Sequence, residues 1–132
     1  ASADTIEKER SVCSPKGTDV CKIARKIASE MAPLLPMRLS SNLVIQTVFA
    51  VKRSIGITAK FEYSKSHLED ALSSSGMSNN DMLAIMRKHA RDGFCQPNTP
   101  NKSFIDLGGV VEYHYRFNDG SLYTQQRIDS CL

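Results

Sequence analysis

Tryptophan is absent from this 132-residue chain, and so is any apolar run long enough to cross a bilayer. The most apolar uncharged stretch, Leu43 to Val51, falls far short of the roughly 20 residues that a spanning helix needs. Charge of one sign is never concentrated either. Lys16, Lys22, Arg25, Lys26, Arg38, Lys52, Arg53, Lys60 and the later cations are scattered, and the formal net charge is only +3. No basic run is interleaved with aromatics for phosphate tracking or base stacking, which argues against a nucleic-acid partner.

The motifs of several chemistries are missing as well. His67, His89 and His114 lack ligand spacing such as His-x-x-x-His, and the cysteines form no Cys-x-x-Cys pair, so no metal site is expected. No Gly-x-Ser-x-Gly elbow occurs. Gly108-Gly109 lacks the Lys-Ser/Thr of a phosphate loop and reads as the turn into a strand. Glu69 and Asp70 read as a solvated helix face. The expectation is a protein that is not an enzyme and carries no cofactor.

What is present is a globular composition, 41% hydrophobic and 23% charged, in a chain of single-domain length. Four cysteines permit three pairings. Cys21 falls in the first turn of an expected helix and can reach back to Cys13, while Cys95 and Cys131 stand on either side of the last hairpin. Those positions favour Cys13–Cys21 and Cys95–Cys131 as structural bridges formed outside the reducing cytoplasm. Loop entropy assigns about 3–4 kcal/mol to the long bridge and about 2–3 kcal/mol to the short one, less any native strain. The opening Ala-Ser-Ala-Asp resembles the small residues near an export cleavage site, so a mature periplasmic protein is expected. A lipoprotein parent would have lost its acylated cysteine.

Two periodicities organise the rest. Val20, Ile23, Ala24, Ile27, Ala28 and Met31 form one helical stripe, capped by Thr18 or Asp19 and ended by Pro33 and Pro36. Leu43 to Val51 and Ile55 to Tyr63 alternate as a hairpin, and so do Val110 to Phe117 and Leu122 to Ile128 around Asn118-Asp119-Gly120. Between the hairpins, Ser66 to Glu69 has capping-box spacing for a short helix broken by Ser73 to Gly76. A second helix opens at Ser78 to Asp81 and stops at Gly93, and Phe104 to Leu107 reads as a single turn. The predicted fold is α+β: a four-stranded antiparallel sheet from two hairpins, helices packed on one face, stabilised by disulfides. Residues 1–17 form an arm and residues 18–132 a single domain.

With catalysis set aside, a binding surface remains. The hairpin alternation puts Lys60, Glu62, His114, Arg116 and Arg127 on polar strand faces, where solvation is the plain reading and a partner contact the sharper one. A strand edge, or a groove between helix and sheet, could take a peptide by strand addition or helix docking.

The layout from Leu34 to Cys131 resembles the type II secretion pilotins of the AspS kind. The likeness runs through Leu34-Leu35-Pro36-Met37, Cys95, the Leu107-Gly108 approach and the aromatic strand with Tyr113 and Tyr115. Arg116 to Gly120, a Gln-containing return strand and the terminal Cys131 complete it. The Cys13/Cys21 arm departs from that pattern, as does the missing lipidation cysteine. The resemblance implies a small periplasmic accessory protein that grips the C-terminal segment of a secretin subunit, a partner that such lipoproteins bring to the outer membrane. Rival readings are a periplasmic immunity or inhibitor protein that blocks a toxin or enzyme, and a structural subunit of a pilus or conjugation apparatus.

Overall fold

The structure, a computed structural model, describes residues 12–132; most of the arm expected over residues 1–17 lies outside the described residues. Helix α1, Val20–Met31, is capped by Asp19, whose side chain accepts from the Lys22 amide at 3.1 Å. Its stripe buries Val20, Ala24, Ile27 and Ala28. A 3-10 turn at Ala32–Leu34 follows, with Pro33 near its start, and the chain passes a cis Leu35–Pro36 bond into strand β1, Met37–Ser40. Strands β2, Leu43–Val51, and β3, Ser54–Phe61, form the first expected hairpin, closed by a turn with Lys52 at φ 53°.

Three helices lie between the hairpins. Helix α2, Lys65–Ser75, is capped by Ser64 rather than Ser66, and it runs through the serine cluster to Gly76, which takes φ 72° at the C-terminal end. Helix α3, Asn79–Phe94, opens with a reciprocal Ser78/Asp81 capping box. Gly93 does not stop it; the helix ends one residue later and Cys95 caps it. Helix α4, Pro100–Asp106, is capped by Thr99, so the single turn expected at Phe104 to Leu107 is the end of a longer helix. Strands β4, Val110–Arg116, and β5, Leu122–Ile128, complete the chain as the second hairpin.

The sheet corrects the sequence reading in two respects. It has five strands in the order β1-β2-β3-β4-β5, and β3 pairs with β4 in parallel, from Ser54↔Val110 to Lys60↔Arg116. The expected four-stranded, wholly antiparallel sheet is therefore a five-stranded mixed one. A hairpin fixes direction only within itself. Residues 62–109 carry three helices, enough chain for a crossover that returns β4 to the end where β3 began, as parallel neighbours require. The extra strand, β1, is four residues long; Met37-Arg38-Leu39-Ser40 alternates, but over only two periods, the shortest run that such a pattern can mark, so it is easily passed over.

Alternation divides the sheet into two faces. Ile45, Ile55, Ile57, Ala59, Val111, Tyr113 and Tyr115 are buried towards the helices, where they join Val20, Ala24, Ile27, Met86, Phe94 and Phe104 in one core. The cysteines pair as Cys13–Cys21 and Cys95–Cys131. Lys16 Nζ also donates to the Asp106 carbonyl at 2.9 Å, which holds the segment beside Cys13 against α4.

Candidate binding groove

The helices leave part of the inner sheet face uncovered. Helix α1 packs on β2 and β3, α3 packs towards β5, and between them lies a groove of about 550 Å³. Met37, Leu43, Ile45, Ile57, Tyr113 and Tyr115 make its floor, Met31 closes the α1 end, and Leu39 stands at the margin. The wall is a single stripe of α3: Met82, Ile85, Met86, His89 and Gly93 follow i, i+3, i+4, i+7, i+11. A helix that had only to bury itself would leave this stripe covered, yet Ile85 is 40% exposed, and Leu39 of β1 at the groove margin is 48% exposed.

The groove is apolar and uncharged. No Asp, Glu, Lys or Arg lines it, and its polar groups are Ser40, Asn42, His89, Asn101 and the tyrosine phenols. Burial pushes the Tyr113 phenol up to about 12, and burial with the neighbouring Tyr113 raises that of Tyr115, so both are neutral hydroxyls at ordinary pH. Such a surface offers no paired acid and base for turnover. It can bury an apolar segment and give a few hydrogen bonds.

The α3 wall is tied to β5 and to the segment beyond it at three heights. Near its start, Tyr123 Oη donates to Asn79 Oδ1 at 2.7 Å. One turn on, Gln126 Nε2 donates to the Leu83 carbonyl at 2.9 Å. At the far end the Cys95–Cys131 bridge joins the helix cap to the residues after β5. Gln126 is the one buried polar side chain besides the tyrosines among the described residues, and its Oε1 has no partner there.

The polar residues named from the sequence stand elsewhere. Lys60 and Arg116 are cross-strand neighbours, as are His114 and Gln125, and Glu112 and Arg127. Alternation places them on the outer face, opposite the groove. Arg116 donates to the Gly120 carbonyl of its own hairpin turn at 2.9 Å, Arg127 lies 3.7 Å from Glu112, and His114 lies 3.9 Å from that carboxylate. Glu62 pairs with Arg38 at 2.6 Å, and this guanidinium holds the carboxyl below its usual range. Lys60, His114, Arg116 and Arg127 thus share one face, with Glu62 at the end of β3, but they do not converge on a cavity. Cys13, Cys21 and Asp19 lie together, but both sulfurs are committed to the disulfide rather than free for a metal.

Sequence reasoning placed the α3 helix without recognising the groove. Its residues come from α1, all of β1 to β4, α3 and α4 and span positions 31 to 115, so no local window holds them together. The usable signal was methionine: four of the five in the chain line this one surface.

No protein-family model matches the chain, and no curated protein sequence matches it. Solved structures do. The type II secretion pilotin EpsS of Vibrio vulnificus superposes with a TM-score of 0.62 at 16% identity, over 92% of this chain and 91% of its own. The pilotin AspS of Vibrio cholerae gives 0.62 at 17%, over 98% and 100%. A Pseudomonas aeruginosa protein taken to be secreted gives 0.64 at 17%, over 100% and 99%. At these identities the likeness establishes the fold: this chain has a pilotin-like fold, and no enzymatic family is indicated.

Proposed function

We propose that this protein is a periplasmic accessory protein of a secretion or pilus system that holds the C-terminal segment of an outer-membrane secretin subunit. The observation that carries this reading is the uncharged groove between α3 and the sheet, open on a fold shared with two pilotins. A partner segment that lays an apolar helical face on the floor would complete the helical layer that α1 and α3 leave unfinished. In this reading the two bridges suit the oxidising periplasm, and a lipid on the native N-terminus would station the protein at the inner face of the outer membrane.

The test is direct titration of the purified chain with C-terminal peptides of the secretins encoded in the same genome. Saturable binding with one peptide per chain is expected; no binding even at high micromolar concentration rejects the reading. Ile85→Asp places a charge on the half-exposed groove wall and should weaken binding at least about tenfold with little change in stability. Lys60→Glu with Arg116→Glu inverts the charge of the outer face, and it should change groove affinity by less than about threefold. A larger loss there would make the outer face part of the contact.

A further inference from the structure

The chain has five methionines, and Met31, Met37, Met82 and Met86 all line the groove. They come from α1, β1 and α3, so no single element's composition explains the gathering. Met31, Met37 and Met82 are half-buried and open to the groove, and Met86 is buried beneath them. The fifth, Met77, is also half-buried but lies in the turn between α2 and α3, outside the groove. Unbranched thioethers let a surface mould itself to a partner. They also give it a reactivity that leucine in the same places would not have.

We infer that the groove methionines are a reversible modification site, whose oxidation by a peroxide or hypohalous acid keeps the free groove from taking its partner. This rests on the groove being the partner site proposed above. With hydrogen peroxide the thioether sulfur attacks one peroxide oxygen, the O–O bond breaks and the other oxygen leaves as water. With hypochlorous acid the sulfur takes chlorine from oxygen to give a chlorosulfonium ion, and water then displaces chloride with net release of one proton; in either case the sulfur is oxidised by two electrons. The product is a sulfoxide, which carries a strong acceptor where an apolar segment must lie. No Lys or Arg lines the groove, and its donors are the hydroxyl, amide and imidazole groups of Ser40, Asn42, His89, Asn101 and three tyrosines, so a sulfoxide that a seated apolar segment keeps from these groups and from water opposes docking. A seated partner covers the same sulfurs, so oxidation acts on the unoccupied protein and spares the complex. A thiol-dependent methionine sulfoxide reductase would return the oxygen as water and restore the site.

The experiment treats the disulfide-intact chain with graded hydrogen peroxide or hypochlorous acid, alone and with the secretin peptide present, and maps sulfoxides by mass spectrometry. Peptide affinity and the fluorescence of a bound apolar dye, bis-anilinonaphthalene sulfonate, are then read in parallel. Peptide affinity should fall about 10- to 100-fold, the ratio carried by one unsatisfied buried acceptor, and reductase should restore it. Bound peptide should protect Met31, Met37 and Met82 but not Met77. In a variant with Met31, Met37, Met82 and Met86 all changed to leucine, whatever its starting affinity, the ratio of affinities before and after oxidant should stay near one, because the exchange conserves volume but removes the oxidisable sulfurs. The pair Met31→Leu with Met82→Leu serves if the fourfold variant does not fold, and Met77→Leu should stay oxidant-sensitive. Unchanged affinity and dye signal with the groove sulfoxides confirmed, or equal oxidant sensitivity in the leucine variant, would overturn the inference. Peptide that fails to bind before any oxidant is added rejects the secretin reading instead, and the dye still decides whether oxidation alters the groove.

Discussion

The Gln126 amide donates to a carbonyl of α3 while its own oxygen lies buried without a donor among the described residues. An orphaned acceptor costs about 1–3 kcal/mol, comparable to what the single donated bond returns. Its retention fits a role in fixing the groove wall rather than in stability. Gln126→Leu should therefore leave the unfolding free energy unchanged or raise it by up to about 1 kcal/mol, while α3 amides exchange faster and peptide affinity falls. Chemical denaturation and hydrogen exchange check the two halves; lost stability with unchanged α3 exchange would assign the amide to the core alone. Tyr113 and Tyr115 give a pH signature. Their folded-state values lie above the ordinary 10, with Tyr113 at about 12, so the folded protein holds phenolic protons that the unfolded chain releases. The contribution is complete below pH 10 and is lost as pH rises from there through about 12, with a slope of up to about 1.4 kcal/mol per pH unit per tyrosine. Urea unfolding at pH 9 and pH 11 should show a steeper slope in the wild type than in Tyr113→Phe with Tyr115→Phe, in which Tyr63 and Tyr123, also raised by burial, keep part of it. Of these residues the sequence made the tyrosine alternation plain. It said nothing of the Gln126 tie, because a glutamine on a strand is usually solvated and only the crossing helix makes this one buried.

Among the elements, local pattern carried far. The α1 stripe, both hairpins and both cysteine pairs were readable, because each depends on residues near one another in sequence or flanking one element. The joint between hairpins was not, because direction across β3 and β4 is set by three helices and how they cross the sheet. That joint is also where close packing is sharpest. A β-carbon on Gly109 would meet the fully buried Phe104 ring at 2.2 Å, whereas one on Gly56 would meet the half-exposed Phe49 ring, also at 2.2 Å. Phe104 cannot swing aside and Phe49 can. Gly109→Ala should thus cost upwards of about 2 kcal/mol, and Gly56→Ala under about 1 kcal/mol, measured by thermal or urea unfolding. The Cys95–Cys131 bridge belongs to the same scale. Replacing both cysteines by serine should lower stability by about 3–4 kcal/mol, and it should loosen the α3 end of the groove first in hydrogen exchange.

For the whole molecule, the sheet presents two surfaces of opposite character. One is polar over β3 to β5, with Arg38–Glu62 and the Glu112, His114 and Arg127 neighbours, and carries exposed Phe49 and Val51 on β2. The other is a floor of methionine, aliphatic and aromatic side chains that two helices only partly roof. The sequence reading looked to the polar face for a partner because charged residues on alternating strands are visible one by one. The groove emerges only when β1 to β4, α1, α3 and α4 are assembled, so its existence is a property of the fold. Whether this groove takes the secretin segment is read from the methionine methyl resonances of isotope-labelled protein as the peptide is added. If the groove is the site, the signals of Met31, Met37, Met82 and Met86 should shift in step with binding and that of Met77 should stay in place. Binding that leaves the four groove methyls unmoved would contradict it.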